Sequence, residues 1–166
     1  MKHNLDLINK TGELLLKKNA TVAVAESVTS GNIQAAFSLA TNAVSFFQGG
    51  ITTYNIGQKC RHLLVEPTHA IASNCVSATV SEQMAAEVCN LFKSDYGIGI
   101  TGYASPVPEK NIRQLFAFVA IAKCSKTIKS EKIISSNKTP VEVQMDFTSR
   151  AIELLWEVLK KDKSEF

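Results

Sequence analysis

The sequence predicts an α/β protein, a three-layer α/β/α sandwich on a mixed sheet, and three observations carry the prediction. Helical and strand periods alternate through the early part of the chain, and two extended runs late in it are spaced as an antiparallel hairpin. The run TVAVAES is apolar or small at nearly every position, as a strand covered on both faces must be. With 166 residues, 45% of them hydrophobic and 20% charged, a single domain over residues 1–166 buries enough surface to fold without disulfide or metal staples.

Leu5, Ile8, Leu15 and Leu16 form an apolar stripe that predicts a helix over residues 4–18, ending at Asn19. The strand TVAVAES follows and stops at Glu26-Ser27. Ile33, Ala36, Phe37 and Ala40 then recur at helical spacing, with Thr29 or Ser30 as the expected N-cap. VSFFQGGITTY reads as extended structure interrupted by Gly49-Gly50, and NIGQKCRHLL as a short helix ending before Pro67. Met84, Val88, Leu91 and Phe92 mark one face of a helix within residues 76–95. YGIGITG is a strand that runs into the proline-containing loop YASPVPEKN. QLFAFVAIA and KTIKSEKIISS make the hairpin, and Val143, Phe147, Ala151, Leu154, Leu155 and Val158 place the last helix within residues 141–161.

Several function classes receive no support. A net charge of +3 with scattered basic residues gives no footprint for nucleic acid. No stretch approaches the ~18 apolar residues of a membrane span, and the charged start is unlike a signal peptide, so a cytoplasmic protein is expected. Cys60, Cys75, Cys89 and Cys124 lack a C-x-x-C pair and read as reduced thiols; His3, His62 and His69 lack zinc spacing, and no metal or cofactor is expected. Neither G-x-x-x-x-G-K nor G-x-G-x-x-G occurs, which leaves an ATP or dinucleotide reading unsupported.

In α/β folds ligands bind at the C-terminal ends of strands, and three turns compete for that position: ESVTSGN, ITTYNIGQK and ITGYASP. The first puts hydroxyl side chains and a glycine at a helix start, where free N–H groups can hold an anion or a developing oxyanion; the same residues read equally as helix caps. The second carries Tyr54 and Lys59, and a partly buried lysine there can serve a hydroxyl nucleophile as base, unless it is an ordinary surface lysine. The third offers Thr101 and Gly102, where glycine permits close approach of a ligand or merely makes a turn.

Taken in order, AESVTSGNIQAAF, FFQGGITTYNIGQK, VSATVSEQMA and GIGITGYASP resemble the CinA C-terminal domain family over nearly the whole chain. The most specific element is an E-S-x-T-x-G turn followed by T-Y-x-x-x-x-K. Many members of that family are nicotinamide mononucleotide amidohydrolases. The resemblance implies an oligomeric three-layer domain whose partner is a small pyridine nucleotide. It assigns Ser27 as nucleophile, Lys59 as general base, and Tyr54 as the tyrosine that orders both. Thr29 and Gly31, with Ser30 between them, match the ligand-facing turn, and Thr101 and Gly102 the pair lining the nucleotide pocket.

The departures are specific. The family turn usually reads E-S-C-T-G-G, whereas Val28 and Ser30 stand here in place of the cysteine and the first glycine. Arg113 replaces a glycine of the loop that usually ends K-P-V-G-T, and is the expected substitute contact for the substrate phosphate. NKTPVEVQM offers only Lys138 where the family commonly supplies arginines. The resemblance therefore implies three alternatives: an amidohydrolase of nicotinamide mononucleotide, one acting on another pyridine carboxamide, or a catalytically weak or inactive nucleotide-binding homologue.

Overall fold

A computed structural model describes residues 3–163. The elements run α1 (Leu5–Lys17), β1 (Val22–Glu26), α2 (Asn32–Ser38), β2 (Phe47–Thr52), α3 (Ile56–Leu63), α4 (Pro67–Ala72), α5 (Ala78–Phe92), β3 (Tyr96–Gly102), β4 (Leu115–Lys123), β5 (Lys126–Ser135) and α6 (Pro140–Lys161). The strands form one five-stranded sheet in the order β2-β1-β3-β4-β5, with β1 parallel to β2 and β3, and the β3-β4 and β4-β5 pairs antiparallel. This is the mixed α/β sheet that the sequence predicts. Among the described residues no helix is long and apolar enough to cross a membrane.

Side chains alternate across each strand, and that alternation sorts the core into two faces. Val22 and Val24 of β1 pack with Ile8, Leu15, Phe37, Phe147 and Leu155 of α1, α2 and α6. Ala23 and Ala25 point the other way, into a cluster with Leu63, Ala70, Met84 and Val88 of α3, α4 and α5. Glycine does for β3 what alanine does for β1. A Cβ on Gly97 would stand 2.2 Å from the Ala85 carbonyl oxygen, and one on Gly99 2.2 Å from that of Ser81, so α5 lies directly on the strand's backbone. Gly99→Ala is expected to cost about 1–3 kcal/mol, because a helix and not a flexible side chain must move. A lower urea midpoint at unchanged slope would show it.

Two local expectations are corrected. Gly49-Gly50 do not interrupt β2: the strand runs through them, with its register against β1 shifting between Val22 and Ala23 and with Gly49 at φ 122°, a left-handed value that glycine tolerates. Gly50 lies against the Val24 carbonyl and the Gln34 side chain, where a Cβ would meet atoms at 2.6 and 2.7 Å. Val44 and Ser45, at the front of the same run, belong to a short helical turn, Ala43–Ser45, and not to a strand. The α4 helix has no counterpart in the sequence reading. Pro67 opens it at the first turn, and the Glu66 carboxylate caps it by accepting from the N–H groups of Thr68 and His69 at 2.9 and 2.6 Å.

Candidate active site

The C-terminal ends of β1, β2 and β3 lie side by side, so the three candidate turns converge on one place. The alternation along β1 continues past the strand's end. It turns Glu26 toward α2 and Ser27 toward α3.

Glu26 is fully buried and collects four hydrogen bonds. Its Oε2 accepts from the Thr29 hydroxyl at 2.6 Å and from the N–H groups of Gly31 and Ile33 at 3.2 and 3.0 Å; Oε1 accepts from the Gln34 N–H at 2.9 Å. A carboxylate reached from the preceding strand thus satisfies the donors at the start of α2 and sits at the favourable end of its dipole. This corrects the expected cap. The N-cap residue is Gly31 at φ 98°, with no side-chain capping bond. Thr29 serves Glu26, and Ser30 is exposed at φ 54°, a left-handed conformation more easily held by the glycine of the family motif. The helix-start N–H groups expected to be free for an anion are therefore engaged by Glu26.

Lys59 is 1% exposed, which settles the choice between a surface lysine and a buried one. Asn55 caps α3 through its side chain, accepting from the Gln58 N–H at 3.1 Å, and the first turn carries Lys59 back toward the sheet. Its Nζ donates to Ser27 Oγ at 2.8 Å and to the Thr53 carbonyl at 2.7 Å. Thr53 itself extends the β1–β2 pairing, its N–H donating to the Glu26 carbonyl at 2.8 Å. Among the described residues no carboxylate pairs with Lys59. Burial lowers its pKa from the ordinary lysine value, opposed by the nearby Cys75 and Cys60. The ε-amino group therefore loses its proton more readily than an exposed lysine, while the Thr53 carbonyl and Ser27 fix its direction.

Ser27 and Lys59 open onto a cavity of about 650 Å³. Of the expected ligand contacts, Thr101 and Gly102 border it; Thr101 also donates through its hydroxyl to the Cys75 carbonyl at 2.7 Å. Thr29, Ser30, Gly31 and Arg113 do not line it, and Arg113 is exposed outside it, as is Lys138. Tyr54 borders the cavity with its side chain 71% exposed, and makes no hydrogen bond to Ser27 or Lys59; the ordering bond to the lysine comes from Thr53. Sequence reasoning missed Asn74, Cys75 and Tyr103 in the wall. The unassigned segment after Pro67 carries the first two, and its proline at a helix start was the available signal.

A buried serine–lysine pair at the strand ends of a three-layer α/β/α sheet defines the class: an α/β domain with the components of a hydroxyl nucleophile and an amine base. The model of the CinA C-terminal domain matches residues 4–159, and the chain belongs to that family. It is 32% identical over 158 residues to a competence-damage inducible protein of Streptococcus equi subsp. zooepidemicus, covering 95% of this chain and 37% of that one. A Streptococcus agalactiae relative of the same description is 32% identical over 149 residues, which is 90% of this chain and 35% of the relative. The chain thus spans little more than a third of the length of these relatives. A CinA superfamily protein of Klebsiella pneumoniae superposes with a TM-score of 0.89 at 21% identity, over 96% of this chain and 99% of that one. A CinA superfamily protein of Escherichia coli superposes at 0.81 with 20% identity, over 93% and 89%.

Proposed function

We propose that this chain hydrolyses the carboxamide of nicotinamide mononucleotide, giving nicotinate mononucleotide and ammonia. The observation that carries the reading is the buried Lys59, without a carboxylate partner among the described residues, 2.8 Å from Ser27 Oγ. In its neutral form Lys59 accepts the Ser27 proton while donating to the Thr53 carbonyl, and Oγ bonds to the carboxamide carbon. Oxyanion stabilisation falls to N–H groups of the turn that Glu26 leaves unused, those of Ser27 and Val28 being nearest in sequence. The C–N bond breaks as Lys59 returns the proton to the leaving nitrogen, and ammonia departs. Water, deprotonated by the same amine, then cleaves the acyl-serine ester.

Purified protein is expected to release ammonia from nicotinamide mononucleotide, and Ser27→Ala to lower kcat by about 10³-fold or more with unchanged thermal unfolding. Turnover that survives in Ser27→Ala would overturn the covalent route. A second reading, a nucleotide-binding homologue without turnover, is favoured by one observation: of the motif residues expected to touch ligand, only Thr101 and Gly102 border the cavity. Stabilisation by the nucleotide without ammonia release would favour it.

A further inference from the structure

The α4 helix ends in two consecutive left-handed residues, Asn74 at φ 51° and Cys75 at φ 61°. The turn is pinned from both sides: the Cys75 N–H donates to the Ala70 carbonyl at 2.7 Å, and the Cys75 carbonyl accepts from the Thr101 hydroxyl at 2.7 Å. Such over-determined backbone fixes what its side chains do. Asn74, in the cavity wall, uses both ends of its amide. Its Nδ2 donates to the Tyr103 hydroxyl at 2.9 Å, and its Oδ1 accepts from the Lys110 ammonium.

Lys110 is held in turn by its own loop, whose arms close through paired backbone bonds between Val107 and Ile112 at 2.9 and 3.1 Å. Lys110 is exposed and reaches the cavity wall only through Asn74. Burial raises the pKa of the neighbouring Cys75 thiol from its ordinary value, opposed first by Lys59 and more weakly by Lys110.

Counting protons shows what the chain of contacts leaves over. The Tyr103 hydroxyl accepts from Asn74, so its own proton is available to a further acceptor. The ammonium spends one of its donors on Asn74 and keeps two, and no carboxylate among the described residues forms an ion pair with it. The residues lining the cavity include no acid, their one basic residue, Lys59, is committed to Ser27 and Thr53, and Lys110 stands just outside the lining on Asn74. A positively charged donor set at the mouth of an acid-free cavity fits a phosphate monoester.

We propose that Lys110, Asn74 and Tyr103 form an anion subsite at the cavity mouth that takes the substrate's phosphate, in place of Arg113. As a substrate contact the assignment rests on the proposed amidohydrolase reading; as a binding site it stands apart from it. Two measurements separate them. Titration calorimetry with ribose 5-phosphate needs no chemistry: Lys110→Ala is expected to bind about tenfold more weakly than the unsubstituted protein, with Lys110→Arg restoring most of the loss. In ammonia release, Lys110→Ala is expected to raise KM for nicotinamide mononucleotide about tenfold, with kcat within about twofold, and to leave KM for the riboside lacking phosphate unchanged. Equal affinity for ribose 5-phosphate in the unsubstituted protein and Lys110→Ala, or binding by neither, would overturn the subsite. Lys110-dependent binding of ribose 5-phosphate without any ammonia release would sustain the subsite and overturn the amidohydrolase reading alone.

Discussion

Lys59→Met and Lys59→Arg are each expected to lower kcat for the proposed amide hydrolysis by about 10³-fold. The pair of variants separates two roles. An arginine keeps a positive charge near Ser27 but stays protonated, so it retains whatever field the lysine supplies and loses the base. Activity kept in Lys59→Arg would therefore show that the group works as a charge. The pH profile gives a second reading of the same residue. Burial favours the neutral amine, so kcat/KM is expected to rise with pH and to level off at a pKa below the ordinary lysine value. Stability follows with the same sign. Between the depressed folded pKa and the ordinary value the unfolded chain binds more protons at this position, so this contribution to stability increases as pH rises through that window. Urea unfolding across the alkaline range, taken as the difference from Lys59→Met, isolates the contribution; a difference that does not vary with pH would contradict it.

Glu26→Ala is expected to cost about 3 kcal/mol or more, a large share of the stability of a domain this size. Four donors lose one acceptor group in a fully buried place, and three of them are backbone N–H groups at the start of α2. Glu26→Gln keeps the shape but turns an NH₂ toward donors, so about half the loss is expected, with the protein still folded at room temperature. In that variant the turn bearing Ser27 is loosened while the Ser27 and Lys59 side chains are unchanged. A fall in kcat of about tenfold or more at unchanged KM, in protein shown folded by circular dichroism, is the outcome expected of a positioning residue. Unchanged unfolding in Glu26→Ala would mean that water serves the helix start as well as the carboxylate does.

The sheet was legible because its signals are local. A five-residue strand buried at every position has to be apolar or small throughout, and VAVA is so until Glu26. The period of α6 and the hairpin of β4 and β5 were equally plain. Glu26 was not legible as a cap, since caps are sought within three residues of the bonded N–H, whereas Glu26 reaches Ile33 and Gln34 across the turn. At the site, Ser27 and Lys59 were found through the motif, but their contact spans 32 positions and is made by sheet pairing that no window of sequence contains. The choice between the two basic residues of the loop has a similar cause. Arg113 and Lys110 are three residues apart in one loop, and only the loop's closure between Val107 and Ile112 decides which of them reaches Asn74.

Thr53 gives its N–H to the Glu26 carbonyl and its own carbonyl to Lys59, so one peptide segment relays the position of β1 to the ε-amino group. The separation of Ser27 and Lys59 is thus measured across the sheet and not along the chain. Chain length added between α2 and β2 lies off that relay and leaves the separation as it is. A single residue inserted between Thr52 and Asn55 displaces Thr53 or the α3 cap by about 3.3 Å, more than the whole Lys59–Ser27 contact. The short span from Thr52 to Asn55 is thereby the ruler of the site.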